Sequence, residues 1–230
     1  MKNVSVSDNH QEYGARCVIV GGAPIGDYER VRKYLREGDY LIYCDSGLGH
    51  MEGLGMAPSL IVADFDSHED PHMDVETIVL PVAKDDTDTV YAVREALARG
   101  YRDFLLIGVF GARLDHTLVN AYILFDLDSR GCTAIAVDDY SEFEVLSAGT
   151  DAEGHCVPGT AYVEERFPYF SLINMTGAAR GVTIQGAKFG LRDSEITSEY
   201  QYATSNEVLP GHTAEITIRE GKLLLIRDTI

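Results

Sequence analysis

Two short acidic clusters contain the residues of this chain that are best suited to chemistry. The first holds Asp64 and Asp66, directly after the apolar run at residues 60–62, and the second spans residues 84–88, just before an amphipathic helix pattern. In an open α/β sheet, the ends of strands and the starts of helices meet at one edge, where ligands bind. Carboxylates gathered there repel one another unless a cation lies between them, and Mg²⁺ prefers such oxygen ligands and usually brings substrate phosphates with it. The clusters therefore predict a metal-dependent, nucleotide-using enzyme.

The spacing inside each cluster supports this interpretation, although each cluster also has a simpler one. Asp64 and Asp66 are two residues apart, so both carboxylates point to the same side of an extended segment, but a strand-ending turn would also accommodate them. In the second cluster, residue 86 or 87 can cap the following helix, and Asp88 suits the positive end of its dipole. Capping does not explain three aspartates within four positions beside Lys84, which is placed to neutralise a phosphate. The two clusters together favour a metal–phosphate site.

Two further segments follow predicted strands and carry polar candidates. Asp45 follows the second strand and is either another edge carboxylate or a turn residue. Residues 108–116 follow the fifth strand, where glycines let the backbone approach a ligand and Arg113 can donate two hydrogen bonds to a phosphate. Asp115 can also cap the next helix, and His116 is either a general base or a structural residue. The spacing does not fit the GxxxxGK[ST] phosphate-binding loop.

The elements that must position these residues alternate between strand and helix in the first part of the chain. Short apolar runs predict strands at residues 17–20, 40–44, 60–62, 77–80, 104–107 and 134–137. Helices are predicted at residues 30–37, 87–99 and 115–129. The residues expected to face inward in the last helix are Leu118, Ala121, Tyr122 and Phe125. This alternation predicts an α/β fold with a mostly parallel, open, Rossmann-like sheet and helices on both faces.

Helical periodicity disappears after Gly149, and short alternating strands follow up to a hairpin signal near the end of the chain. This second part predicts a smaller all-β sandwich domain. The predicted organisation is a loosely ordered lead-in at 1–14, an α/β catalytic domain at 15–147 and the β-sandwich at 148–230. Within the β domain, Phe189 could stack on a flat ring, and Ser205 and Asn206 could hydrogen-bond to one, although each alone also suits a core or a turn.

Composition restricts the partners and the location. The 230 residues carry a net charge of −18, so the surface repels nucleic acid and anionic lipid, and neither nucleic acid nor a membrane is expected as a partner. No apolar stretch approaches the ~20 residues that cross a bilayer, and the N-terminus lacks the pattern of a signal peptide. The four cysteines form no CxxC pair, which favours buried structural thiols over a zinc site or disulfides. We therefore expect a cytoplasmic protein.

In series, these segments resemble the motifs of the thiamin pyrophosphokinase family. The family carries Asp-Gly-Gly, Gly-Asp-Phe-Asp-Ser, Lys/Gln-Asp-x-Thr-Asp and Gly-Gly-Arg-x-Asp-His elements, the last before a helix with Asn. The corresponding segments here are residues 45–47, 63–67, 84–88 and 111–116, with Asn120 behind them. The β domain of the family adds a Gly-Leu-Lys-aromatic segment and a Ser-Asn pair, which here read Gly186-Ala187-Lys188-Phe189 and Ser205-Asn206. No single motif decides the matter, but the whole series in this order is specific.

The resemblance implies an α/β catalytic domain followed by a β-sandwich. It implies transfer of pyrophosphate from ATP to the hydroxyl of thiamin, with Mg²⁺ as the cofactor and thiamin diphosphate and AMP as the products. It also implies a homodimer, in which thiamin lies between the catalytic domain of one subunit and the β domain of the other.

The resemblance also implies roles for individual residues. The catalytic residues would be Asp64, Asp66, Asp88, Arg113 and Asp115, and the first three of these would hold the metal. ATP would be bound by Gly21, Gly22, Lys84, Asp85, Gly111, Arg113 and His116. Thiamin would be bound by Asp45, Asn120, Phe189, Ser205 and Asn206. Asp45 is alternatively a further metal ligand, and the acceptor of the thiamin hydroxyl proton is left open between Asp88, Asp115 and His116.

The chain departs from the family pattern at several positions. Ser46, Ala63 and Ala112 each replace a glycine, and Phe189 stands where the family often has Trp. Other interpretations of the sequence are a different Mg²⁺-dependent phosphotransferase or phosphatase and a nucleotide- or thiamin-sensing module without turnover. A purely structural dimer module is a further alternative, but it leaves the edge carboxylates unexplained.

Overall fold

A computed structural model describes residues 16–65, 72–81 and 85–230 of the chain. The first part contains β1 (Cys17–Val20), α1 (Tyr28–Arg32), β2 (Tyr40–Cys44), a 3₁₀ segment (Asp45–His50), α2 (Met51–Leu54), β3 (Leu60–Ala63), β4 (Thr77–Val79), α3 (Asp88–Ala98), β5 (Asp103–Ile107), α4 (Leu114–Ser129) and β6 (Thr133–Val137). The second part contains β7 (Ser141–Ser147), β8 (Gly149–Thr150), β9 (Cys156–Val157), β10 (Gly159–Glu164), β11 (Tyr169–Ile173), β12 (Ala178–Gln185), β13 (Leu191–Thr197), β14 (Asn206–Glu207), β15 (Thr213–Ile218) and β16 (Lys222–Asp228).

The largest sheet has ten strands in the order β14-β11-β16-β7-β6-β5-β1-β2-β3-β4. The six strands from β6 to β4 are parallel, whereas β7, β16, β11 and β14 continue the sheet in antiparallel pairs. The sheet is therefore mixed. The change of direction has a local cause, because the Asp138 carboxylate accepts hydrogen bonds from the Tyr140 and Ser141 amides and turns the chain directly from β6 back into β7.

The residues after β6 build a β-rich unit, as the sequence predicted. A second sheet, in the order β10-β15-β12-β13, packs against the antiparallel part of the large sheet. Side chains of both sheets meet in one buried cluster that includes Phe170 and Leu225 from the large sheet and Val182 and Ile216 from the smaller one. One sheet thus passes through both halves of the chain. The domain limits drawn from the sequence, at 14/15 and 147/148, stay a prediction.

Helices cover both faces of the parallel strands. Helices α3 and α4 bury one face, and α1 and α2 pack on the other. The first predicted helix, 30–37, is wrong at its end, because α1 stops at Arg32 and the Arg36 amide bonds the Asp39 carboxylate instead of continuing the helix. None of the helices in the described ranges is long and apolar enough to cross a membrane.

The inward face predicted for α4 is only partly right. Ala121 and Phe125 are buried, but Leu118 and Tyr122 are 48% and 51% exposed, so their predicted inward orientation is wrong. The helix is rotated because Asn120 points toward the sheet, where its side-chain amide donates to the Val109 carbonyl over 2.6 Å. A polar residue at an inward position is invisible to a pattern that counts only apolar residues.

Because one sheet joins both halves, we predict that damage to the β part also destabilises the helical part. Leu225→Ala, at a fully buried position of β16, should lower the free energy of unfolding by about 2–5 kcal/mol. The helices of the described residues all precede β6, so helical circular dichroism during urea unfolding reports the α/β part. Leu209→Ala, at a position that is 37% exposed, is the control. An unchanged helical transition in Leu225→Ala would mean that the two parts unfold independently.

Candidate active site

A cleft of about 370 Å³ opens at the carboxyl ends of the parallel strands. The strand order reverses between β1 and β5, since β2, β3 and β4 lie on one side of β1 and β6 lies beyond β5. Such a reversal creates a crevice in which α/β proteins bind ligands. The cleft is lined by Gly21, Gly22, Ala23, Cys44, Asp45, Ser46, Asp64, Thr87, Asp88, Thr89, Gly108, Val109, Gly111, Ala112, Arg113, His116 and Asn120.

Three carboxylates from separate elements meet in this cleft. Asp45 follows β2, Asp64 follows β3 and Asp88 is the first residue of α3. One oxygen from each lies within 4.8 Å of the other two. Asp45 is buried and has a φ of 40°, a left-handed conformation that is uncommon outside glycine and clusters at functional sites. The fold thus brings together three groups that repel one another.

The donor set of this trio fits a hard divalent cation. Three carboxylate oxygens converge from the ends of rigid elements, which suits Mg²⁺ and its oxygen coordination. Cys44 also lines the cleft, but burial raises the pKa of its thiol well above the ordinary value, so it stays protonated and is a poor metal ligand. A second group, Asp151, Glu153 and His155, is fully exposed on the β8–β9 hairpin, so it lacks the partial burial of the cleft trio.

Glycines allow the backbone to form the floor of the cleft. A Cβ on Gly21 would lie 2.6 Å from the Gly108 carbonyl oxygen, so the loops after β1 and β5 touch through their backbones. The loop after β1 is also held from the side, since its Ala23 carbonyl is 2.9 Å from Nε2 of His50 and the Tyr28 hydroxyl is 2.7 Å from Nδ1 of the same ring. These contacts give the loop one conformation in front of any bound ligand.

The loop before α4 carries the cationic group of the cleft wall. Arg113 donates to both oxygens of Asp115, at 3.2 and 2.6 Å. This hydrogen bonding lowers the pKa of Asp115 to about 2, so the carboxylate stays charged near neutral pH and is a weak proton acceptor. Ala112, which replaces a family glycine, has a φ of 55° and keeps the left-handed conformation that glycine would adopt there without strain.

The aromatic residue of the β domain lies far from this cleft within the same chain. Phe189 is 57% exposed and is bonded to Asn206 at the start of β14. In the large sheet, β14 is separated from β5 by four strands and from β1 by five. At the usual spacing of neighbouring strands, that separation is roughly 25 Å. The chain therefore presents a charged cleft and an exposed ring as two distant surfaces.

Comparison with known proteins gives matches in both halves of the chain. A family model described as "Thiamin pyrophosphokinase, catalytic domain" matches residues 31–136, and one described as "Thiamin pyrophosphokinase, vitamin B1 binding domain" matches residues 161–223. Together the two matches span well over half of the chain. The chain belongs to the thiamin pyrophosphokinase family. This membership confirms the function predicted from the sequence, thiamin pyrophosphokinase, and the predicted enzyme class, a thiamin diphosphokinase.

Individual members of the thiamin pyrophosphokinase family resemble the chain over almost its full length. Thiamine pyrophosphokinase from Bacillus subtilis is 25% identical over 218 residues, which cover 92% of this chain and 97% of that protein. A crystal structure of the Bacillus subtilis enzyme superposes with a TM-score of 0.78 at 23% identity, covering 94% of this chain and 99% of the other. The Geobacillus thermodenitrificans enzyme gives a TM-score of 0.75 at 25% identity, covering 94% and 98%. Yeast thiamin pyrophosphokinase shares the fold at 12% identity, with a TM-score of 0.71 over 93% of this chain and 86% of its own.

Most of the residues predicted from the family motifs of the catalytic domain line the cleft. These are Gly21, Gly22, Asp45, Asp64, Asp88, Gly111, Arg113, His116 and Asn120. Asp85 and Asp115 are exposed and do not line it, and neither do Phe189, Ser205 and Asn206 of the β domain. Asp66 and Lys84 lie outside the described residues, so their predicted roles stay predictions.

The cleft also contains residues that motif matching did not select. Thr89 is next to Asp88, and Val109 lies within the segment 108–116. Ser46 was noted from the sequence only as a departure from the family, and Thr87 only as a helix cap. Thr87 does cap α3, since its hydroxyl accepts from the Val90 amide. The one sequence signal that could have placed Ser46, Thr87 and Thr89 among the predicted site residues was their proximity along the chain to Asp45 and Asp88.

Ser46 makes Gly22 indispensable in this member of the thiamin pyrophosphokinase family. A Cβ on Gly22 would overlap the Ser46 hydroxyl and lie 2.9 Å from the Ser46 Cβ, whereas its next neighbour, the Gly47 amide nitrogen, is 3.3 Å away. We predict that Gly22→Ala weakens ATP binding, because the loop after β1 must move. Replacing Ser46 by the family's glycine removes the obstacle.

The test compares Gly22→Ala, Ser46→Gly and the double variant by KM for ATP and by thermal stability. Gly22→Ala should raise the KM, and adding Ser46→Gly should bring the KM back toward that of the Ser46→Gly single variant. If the double variant instead raised the KM for ATP by the product of the two single effects, with no recovery, the steric explanation would be contradicted.

Proposed function

We propose that this chain transfers pyrophosphate from ATP to thiamin with Mg²⁺ bound by Asp45, Asp64 and Asp88. The observation that carries the proposal is the convergence of these three carboxylates within 4.8 Å in the cleft at the strand-order reversal. Asp45 moves in this proposal from thiamin contact to metal ligand. A Rossmann-like description of the six parallel strands and a cytoplasmic location belong to the same proposal.

The cleft residues have separable tasks in this reaction. Bound to the carboxylates, Mg²⁺ would offset the negative charge of the ATP phosphates. The backbone of the loop after β1 allows the phosphates to approach, because Gly21 and Gly22 carry no side chain. Arg113 exchanges its bond to Asp115 for one to a phosphate oxygen, which its exposure permits. Positioning of this kind supplies most of the catalysis of phosphoryl transfer.

The thiamin hydroxyl must lose its proton as its oxygen bonds to the β-phosphorus and the bond from that phosphorus to the bridging oxygen of the leaving AMP breaks. Three acceptors were open from the sequence. Asp115 does not line the cleft, and Asp88 belongs to the metal-binding trio. His116 lines the cleft without belonging to that trio, so we assign the proton to its imidazole.

The reaction is tested by incubating the protein with ATP and thiamin, with and without Mg²⁺. AMP and thiamin diphosphate should appear in equal amounts and only with the metal. Asp64→Asn should lower turnover by roughly a hundredfold or more and weaken binding of Mn²⁺ as a spectroscopic substitute. The matched control is Asp86→Asn, because Asp86 belongs to the same acidic segment as Asp88 but pairs with Arg94. ADP or free phosphate as the product would contradict the proposal.

The distance between the two surfaces supports a homodimer. Phe189 and the cleft of one chain are roughly 25 Å apart by strand spacing, so one thiamin molecule cannot touch both. A second copy related by a two-fold axis can supply its ring to the first copy's cleft. We therefore propose two shared sites per dimer.

Subunit mixing tests the shared site directly. Asp64→Asn damages the cleft and Phe189→Ala damages the ring, so each variant alone should be slow at low thiamin concentration. In an equal mixture of exchanged subunits, hybrid dimers regain one intact site, which restores about a quarter of all sites. Phe189→Ala mixed with wild-type protein leaves half of the sites intact whether or not subunits exchange, so this mixture controls for any effect of mixing itself. Activity no higher than the mean of the two separate variants would mean that each site is built within one chain.

A further inference from the structure

We propose that Asn206 is a positioning residue that fixes Phe189 for thiamin stacking and does not itself bind thiamin. The inference rests on the proposed function and changes the role that the family resemblance implied for this asparagine. It divides the Ser-Asn pair into one residue that faces the substrate and one that holds the aromatic ring in place.

The Asn206 side chain makes three hydrogen bonds to the backbone at and near Phe189. Its Oδ1 accepts from the Phe189 amide at 3.0 Å and from the Glu207 amide at 2.9 Å. Its Nδ2 donates to the Phe189 carbonyl at 2.8 Å. The N–H and C=O of one residue are therefore both held by a single side chain, and the two lone pairs of the amide oxygen are used.

Burial separates Asn206 from any ligand on the surface. The residue is 2% exposed, whereas Phe189, which it holds, is 57% exposed. A thiamin molecule stacked on the ring would meet the phenyl group and not the amide beneath it. Contact with Asn206 would require breaking bonds whose loss leaves buried polar groups without partners.

The residue before Phe189 is also held to the start of β14. The Lys188 amide donates to the Glu207 carbonyl, and the Lys188 ammonium bonds the Glu207 carboxylate at 2.6 Å. The same ammonium lies over the Phe189 ring, 5.4 Å from its centre. With a cation over one face, a flat substrate ring would stack on the other.

Ser205 differs from Asn206 in both exposure and engagement. It is exposed, has a φ of 53°, and its backbone amide donates to the Ser171 hydroxyl at 3.0 Å. Its backbone is thus fixed while its hydroxyl remains at the surface. Ser205 is the member of the pair that can hydrogen-bond to thiamin.

A double-mutant cycle on KM for thiamin tests whether Asn206 acts through Phe189. Phe189→Ala and Asn206→Ala should each raise this KM roughly twofold to tenfold, the range expected for losing an aromatic stacking contact, and leave the KM for ATP unchanged. In the Phe189→Ala background, Asn206→Ala should have no further effect. If the double variant raised the KM for thiamin by the product of the two single effects, Asn206 would bind thiamin directly and the proposal would be overturned.

A fluorescence measurement tests the same point without turnover. The chain contains no tryptophan, so Phe189→Trp creates a single reporter at the ring position. Adding Asn206→Ala should increase the fast local motion of this indole in time-resolved anisotropy while the slow tumbling of the whole protein is unchanged. Equal local motion with and without Asn206 would contradict a positioning role.

Asn174→Ala is the matched control. Asn174 is also an asparagine of the β domain that is 2% exposed, with Nδ2 donating to the Ile196 carbonyl and Oδ1 accepting from the Thr176 amide. Its loss should reduce thermal stability but leave the thiamin KM and the reporter motion unchanged. If Asn174→Ala shifted both quantities as Asn206→Ala does, general softening of the β domain would explain the result. Wild-type protein that releases no AMP would refute the proposed function, while the anisotropy result would still decide the role of Asn206.

Discussion

The site depends on holding three mutually repelling carboxylates within 4.8 Å of one another. No short-range sequence feature can do this, because Asp45, Asp64 and Asp88 belong to three different elements. Parallel strands β2 and β3 deliver two of them to one edge, and α3 begins where the third must lie. Their shared negative charge attracts any hard cation that enters between them. The left-handed Asp45 is the backbone cost of this convergence.

Close backbone contacts follow from the same requirement. Phosphates can reach a metal at the strand ends only if the loops after β1 and β5 do not project over the cleft. These loops are close together because Gly21 and Gly108 touch through main-chain atoms. Ser46 shows how tightly the remaining space is filled, since its hydroxyl occupies the volume that a Cβ on Gly22 would need. A family position that looks freely exchangeable among small residues is therefore coupled to a glycine more than twenty residues earlier.

The sequence was informative where function follows from local order along the chain. Strand–helix alternation gave the parallel strands, and acidic residues at predicted strand ends gave Asp64 and Asp88. The sequence was uninformative where paired strands are far apart along the chain. Strand β7 pairs with β16 across some eighty residues, so the periodicity of the sequence could not predict the antiparallel continuation of the sheet. Asp45 stayed ambiguous for the same reason, because a turn residue and a metal ligand look alike until two strand ends and the start of a helix are aligned. The orientation of α4 failed because Asn120 is buried for its hydrogen bond and not for its hydrophobicity.

The mixed sheet explains why the two substrate surfaces are separated. By continuing the parallel strands into β7, β16, β11 and β14, the chain extends its core without a flexible linker, but this places Phe189 and the cleft at fixed positions far apart. A hinge within the chain cannot close that gap without breaking strand pairing that spans β6 to β16. In the proposed dimer, each copy lends its ring to the cleft of the other. Rigidity at Phe189 matters more than usual in such a dimer, because the ring must enter a site whose other half belongs to a different molecule. The paired amide bonds of Asn206 supply that rigidity where the sheet itself ends.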